Sequence, residues 1–198
     1  MALKPEIDYF IGSVHHVHEI PIDYDRAFYV KARDIAGGTD ERLFEDYFDS
    51  QYEMLTALKP KVVGHFDLIR LLSDEPNRDL RGMKGIWERV VRNLGLIVEQ
   101  GGLMEINSSA LRKGLLEPYP LRSVCVEYLK LGGRLTLSDD SHGIAHVGTC
   151  FGRVFEYLES LEVRDLWTLE SDGVKSQGEK TVSFRSVSLA DARSSFRG

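Results

Sequence analysis

Arg134-Leu135-Thr136-Leu137 runs straight into Ser138-Asp139-Asp140-Ser141-His142, and this stretch decides how the chain is read. A short apolar and β-branched run that ends in two carboxylates and an imidazole suits a buried strand with chemistry at its carboxyl end. Three other segments repeat the pattern. Ile7–Val14 (IDYFIGSV) runs into His15, His16 and His18. Lys61–Gly64 (KVVG) runs into His65 and Asp67, and Gly102–Ile106 (GLMEI) carries Glu105 and leads to Asn107, Ser108 and Ser109.

Between these runs the apolar residues recur at helical spacing. Phe44, Tyr47, Phe48, Leu55 and Leu58 trace one face from Asp40 onward. Trp87, Val90, Val91, Leu94, Ile97 and Val98 trace a second. Leu121, Val124, Cys125, Tyr128 and Leu129 make a third, and Phe151, Val154, Phe155, Leu158 and Leu161 a fourth. Gly101-Gly102 and Gly132-Gly133 fall where helices should stop before the next strand. Strand–helix alternation of this kind implies βα units around a parallel sheet, an α/β fold. Two-residue hairpin signals are missing between the four strands. Pro21–Thr39 reads as an ordered excursion over the strand ends. Beyond Leu166 the character changes: Glu170–Lys180 is polar and Gly-containing, Thr181–Val187 alternates like an edge strand, and Ser188 caps a short helix over SLADAR, together an appendage expected to be partly mobile.

The 198 residues carry 25 Lys+Arg against 31 Asp+Glu, a net charge of −6, with no basic stripe. That argues against a nucleic-acid surface. No run is apolar and long enough to span a bilayer or to act as a signal peptide, and two cysteines make no disulfide framework. A cytoplasmic protein with neither nucleic acid nor membrane as partner is expected.

Ligands of parallel α/β folds bind beyond the carboxyl ends of the strands. Here all four ends carry polar chemistry: His15, His65, Glu105 with Asn107, and Asp140 with His142. Neutral imidazoles and carboxylates together suit a divalent transition metal. Each has a plainer reading alone: Asp140-Ser141-His142 as a solvated turn, His65 as a buried histidine bonded to a carbonyl, His15 as a packed side chain. Their recurrence on separate strands favours the metal. His16 and His18 read as surface or supporting groups, and His146 as a cap or supporting group. Asp67 either orients His65 or packs on a neighbouring loop. Ser108–Gly114 (SSALRKG) offers hydroxyls beside the Arg112 guanidinium, a phosphate cradle or a solvated loop. No glycine-rich nucleotide motif is present.

Gly12-Ser13-Val14-His15 with Ile20-Pro21-Ile22-Asp23 resembles the histidinol-phosphate phosphatases of the PHP (polymerase and histidinol phosphatase) superfamily. So do Val63–Asp67 (VGHFD), Glu105–Gly114 (EINSSALRKG) and Leu137–His142 (LSDDSH), in the same order. The resemblance implies a distorted β/α barrel holding three ions of zinc, manganese or iron. It implies metal-dependent hydrolysis of L-histidinol phosphate to L-histidinol and phosphate in histidine biosynthesis. Carried over by motif, His15, His65, Asp140 and His142 are metal ligands, with Asp140 and His142 also catalytic. Arg112 binds phosphate, and Glu105, Asn107 and Ser108 shape the substrate pocket.

The family's leading His-x-His strand and its further His and Glu ligands are absent here. Four βα units occupy about 160 residues, where barrels of this type take roughly 250. The expectation is therefore a partial barrel over 1–167, open on its N-terminal side, with an appendage over 168–198. Such a chain would be an N-terminally truncated phosphatase, weakly active or inactive, with an open edge suited to self-association. Two other expectations stand beside it: a non-catalytic remnant that binds a partner, and a phosphoesterase for another small phosphate ester.

Overall fold

The computed structural model describes residues 7–174 and 180–196; the segments expected to hold no signal peptide (1–6) and part of the polar linker (175–179) lie outside the described residues. In chain order the elements are β1 (Ile11–Gly12), β2 (His16–Val17), β3 (Ile20–Pro21), α1 (Arg26–Ile35), α2 (Asp40–Leu58), β4 (Val62–Val63), α3 (Lys84–Glu99), β5 (Leu103–Asn107), α4 (Ser109–Arg112), α5 (Arg122–Lys130), β6 (Arg134–Ser138), α6 (Phe151–Ser160), β7 (Asp165–Val174), β8 (Lys180–Ser188) and α7 (Leu189–Ser195). Strands β1, β4, β5 and β6 form one parallel sheet in that order. The α/β architecture and the parallel sheet are those expected, and the four strands fall within or beside the four apolar runs.

Register explains which side chains face the helices. Gly12, Val63, Met104 and Leu135 stand in one row across the sheet. A Cβ on Gly12 would come within 2.6 Å of Pro60 and 2.8 Å of the Met54 sulfur on α2, so only glycine allows that approach. The neighbouring row is Ile11, Val62, Leu103 and Arg134, and the next is Glu105 beside Thr136. Ile11, Val62, Glu105 and Thr136 from this opposite face line a cavity of about 350 Å³ together with Leu169 and Phe196.

The helices bury their expected stripes: Phe44, Tyr47, Phe48 and Leu55 on α2; Val90, Leu94 and Ile97 on α3; Val124, Cys125 and Tyr128 on α5; Phe151, Val154, Phe155 and Leu158 on α6. Leu58 ends up exposed at the last turn of α2, because the chain there leaves the helix through Lys59 in a left-handed conformation. Asp25 and Thr39 cap α1 and α2 by accepting from Phe28 N and Arg42 N. Gly101 and Gly132 adopt φ of +69° and +81°, the left-handed stops that glycine tolerates.

The Pro21–Thr39 excursion contains α1. Ahead of it the chain makes a hairpin: β2 pairs antiparallel with β3 through a two-residue turn, His18-Glu19, both left-handed at φ 53° and 63°. Both central residues at positive φ make the primed turn that suits tight hairpins. Lacking Gly or Asn, it gives no sequence signal.

The C-terminal segment is docked onto the domain. β7 and β8 form an antiparallel hairpin that begins at Asp165, so the expected 167/168 boundary falls within β7. The Arg134 guanidinium lies over Trp167 and Phe184, and Phe196 packs edge-on against Phe151 at 4.7 Å. Ser188 caps α7 by accepting from Asp191 N, as expected.

Candidate metal and phosphate site

β1 and β4 are neighbours, and the segments leaving them carry His15 and His65 to the same place. Their ring centroids lie 4.8 Å apart, edge to face. His65 is buried, and its backbone takes φ 23°, a conformation that costs a non-glycine residue on the order of 1–3 kcal/mol. Glu105, on β5, holds it there. Its Oε2 accepts from His65 N at 2.7 Å and from Asn107 Nδ2 at 2.9 Å. Gly64, just before His65, packs closely on β1, where a Cβ would stand 3.0 Å from Ile11 Cγ2. Asn107 in turn accepts from Ser109 N and locks the start of α4.

The two imidazoles differ electrostatically. His15 is about half exposed, and a hydrogen bond between its Nδ1 and Asp23 Oδ2 (2.9 Å) raises its pKa. Burial lowers that of His65, against the opposing pull of Glu105 and Asp140, and His15 adds to the lowering. Burial works to raise Asp23, but the His15 contact outweighs it and leaves the carboxyl below its ordinary value. His65 Nδ1 is buried with no hydrogen-bond partner.

At the end of β6 the picture changes. Asp140 has φ 49° and its charge acts on both imidazoles. Asp139 is a structural cap that accepts from Ser141 N at 3.1 Å and Gly148 N at 2.6 Å. Arg112 spends its fork on this loop, donating to Asp139 O at 3.0 Å and Asp140 O at 3.2 Å. Ser108 Oγ donates to Thr149 O on the same loop. So turned, the chain carries His142 out to solvent, where its Nδ1 meets Asp140 O at 2.9 Å. The structure thus joins His15 to His65, sets Asp140 within electrostatic reach, and leaves His142 exposed. Among the described residues no three His, Cys, Asp or Glu side chains converge closely enough to hold an ion by themselves. In chemistry the donors fit a divalent transition metal, two imidazoles with carboxylates beside them and a buried ring nitrogen without a partner.

Several residues acquire roles that their sequence context left open or did not suggest. Asp67 serves the neighbouring loop: buried, it accepts from Arg70 Nε at 3.1 Å and Leu121 N at 2.8 Å. Burial raises its pKa, against the pull of Arg70. Arg70 also donates to the carbonyls of Pro76, Glu117 and Pro118 and lies over Tyr119. Tyr119, buried with its hydroxyl unpartnered, stacks edge-on towards His65 at 6.3 Å; no motif marked it. Lys113 is exposed and its charge acts on His15 and Asp23. His16 is exposed, and His18 pairs with Asp46 at 2.7 Å on the surface. His146 closes a 3-10 turn after β6, its Nδ1 buried and unpartnered.

The PHP domain family model matches residues 2–109, which carry both imidazoles, Asp23 and the Glu105 clamp. The chain belongs to the PHP domain family. It is 39% identical to the "Probable histidinol-phosphatase" of Schizosaccharomyces pombe over 98% of this chain and 63% of that protein. It is 41% identical to the "Histidinol-phosphatase" of Saccharomyces cerevisiae, over 77% of this chain and 52% of that one. The chain therefore spans between half and two thirds of these curated relatives. Among solved structures, the histidinol phosphate phosphatase of Lactococcus lactis, complexed with zinc, L-histidinol and phosphate, superposes with a TM-score of 0.63 at 18% identity, over 83% of this chain and 60% of that one. A Listeria monocytogenes protein gives the same TM-score at 22% identity, over 75% of this chain and 58% of that one. At those identities the likeness concerns the fold, and it agrees with the α/β architecture expected of a PHP protein.

Proposed function

We propose that this chain carries part of the centre of a metal-dependent phosphomonoesterase that hydrolyses L-histidinol phosphate to L-histidinol and phosphate, a step of histidine biosynthesis. The observation that carries the reading is the His15–His65 pair, 4.8 Å apart at two adjacent parallel strand ends, with a buried ring nitrogen lacking a partner. The curated relatives named histidinol-phosphatase support the substrate, and the zinc of the Lactococcus protein supports the cofactor class.

His15, His65 and Asp140 would hold divalent metal, joined by His142 if the Asp139–Gly148 loop turns inward. Bound metal supplies a hydroxide near neutral pH and offsets phosphoryl charge. Glu105 keeps His65 in its strained conformation, and Asn107 and Ser108 fix the end of β5 and the adjoining loop. Arg112 would receive phosphate oxygens by exchanging its two carbonyl partners, with Lys113 adding positive charge beside it. Asp140 and His142 are the proposed catalytic pair. The free thiols of Cys125 and Cys150 suit a reducing compartment, and the cytoplasm is the proposed location; no described helix is long and apolar enough to cross a membrane.

The test is phosphate release by the purified chain with zinc or manganese, from histidinol phosphate and from a panel of other small phosphate esters. Preference for histidinol phosphate, with phosphate release lost in Arg112→Ala, supports the reading, and equal rates across the panel favour a broader phosphoesterase. A second reading, a binding module using the β1 edge as a second copy's docking strand, is favoured by the exposure of Ile7, Tyr9 and Ile11. Absence of metal and of hydrolysis, with concentration-dependent dimerisation, would favour that one.

A further inference from the structure

His15 and Asp23 are brought together by the β2–β3 hairpin. His16 pairs with Pro21 and Val17 with Ile20, and Ile22 N donates to His15 O at 3.0 Å. Val17, Ile20 and Ile22 are buried, and the strained His18-Glu19 turn is pinned to α2 through Asp46. The whole device returns Asp23 to His15, with Oδ2 2.9 Å from Nδ1. An ionised carboxylate can only accept. In neutral His15 the proton must therefore sit on Nδ1, which leaves the lone pair on Nε2. Among the described residues the one hydrogen-bond contact of that nitrogen is the Ser13 hydroxyl at 3.3 Å, long for a hydrogen bond to a hydroxyl.

We propose that Asp23 is a positioning residue, whose carboxylate holds His15 in the Nδ1–H tautomer and so presents Nε2 as the electron-pair donor to a divalent cation. Ligating histidines commonly donate their second ring N–H to a carboxylate in this way, which fixes the ring and strengthens it as a ligand. The cation rests on the metal-site reading above; the tautomer does not.

The two parts are tested separately on the full chain. Long-range 1H–15N correlation spectra at about pH 9, where imidazole is neutral, report which ring nitrogen carries the proton, with His15→Gln assigning the signal. The native chain is expected to show His15 as the Nδ1–H form, and Asp23→Ala to move it towards the Nε2–H form. Asp23→Asn, which keeps the shape and the acceptor but not the charge, guards against loss of folding in Asp23→Ala and is expected to fall between. Titration with zinc alone should then show binding weakened by roughly 10–100-fold in Asp23→Ala. A native His15 in the Nε2–H form, or a tautomer unchanged in both variants, overturns the proposal. The expected tautomer shift with no zinc binding by any form upholds the positioning role and overturns the metal reading instead.

Discussion

The β1/β4 end of the sheet and the β6 end are built on different principles. Around His65 the supports are buried: Glu105 on its backbone N–H and the Asp67–Arg70 pair bracing the following turn. Around His142 the supports are backbone contacts in a partly exposed loop, held by Asp139 and Arg112. One end is preorganised at a cost in strain, while the other keeps its ligand-type side chain at the surface. The comparison teaches that residues of one motif set can share chemistry without sharing rigidity.

The sharpest way to break the buried side is to remove one partner of Asp67–Arg70. Breaking a fully buried ion pair leaves a stranded charge, so Arg70→Ala is expected to lower stability by about 3–5 kcal/mol in urea unfolding. Glu105→Ala should follow at about 2–3 kcal/mol, because the His65 N–H and the Asn107 amide lose a buried acceptor. Far-UV signal retained with a reduced urea midpoint would record both.

His142→Ala probes the opposite end. It should shift stability by no more than about 0.5 kcal/mol, as an exposed substitution does, while, on the proposed function, zinc-dependent phosphate release falls roughly tenfold or more. A large loss of stability in this variant would dissolve the contrast between the two ends.

The smallest effect separates the two imidazoles themselves in chain stripped of metal. His15 has its pKa raised, so the stability it contributes is complete below the ordinary imidazole value and fades as pH rises through the elevated one. His65 has its pKa lowered, so its contribution is complete above the ordinary value and fades as pH falls towards the depressed one. NMR titration of the two rings should give midpoints on opposite sides of about 6.5.

Much of this architecture was legible beforehand because strands and helices write their burial into periodicity. The stripe Val90, Leu94, Ile97 names α3, and the run through Leu103 and Ile106 names β5, whatever lies elsewhere in the chain. The His18-Glu19 turn was not legible, since its left-handed residues are held by buried flanks and by Asp46 rather than by turn-forming residue types. Nor was the part played by Asp139, which caps the loop by accepting from the Ser141 and Gly148 amides that only the folded loop turns towards it.

By itself, then, the order of residues determined the βα rhythm, the helix faces and the polar side chains that end four strands, since these depend on local period and residue type. Tertiary structure alone decided that Asp23 belongs to His15, that Asp67 belongs to Arg70, that Tyr119 lies beside His65 and that His142 faces solvent. Those relations join residues far apart along the chain or reverse its direction within a few positions. They are set by packing, desolvation and hydrogen-bond competition, which exist only once the sheet has brought the strand ends together.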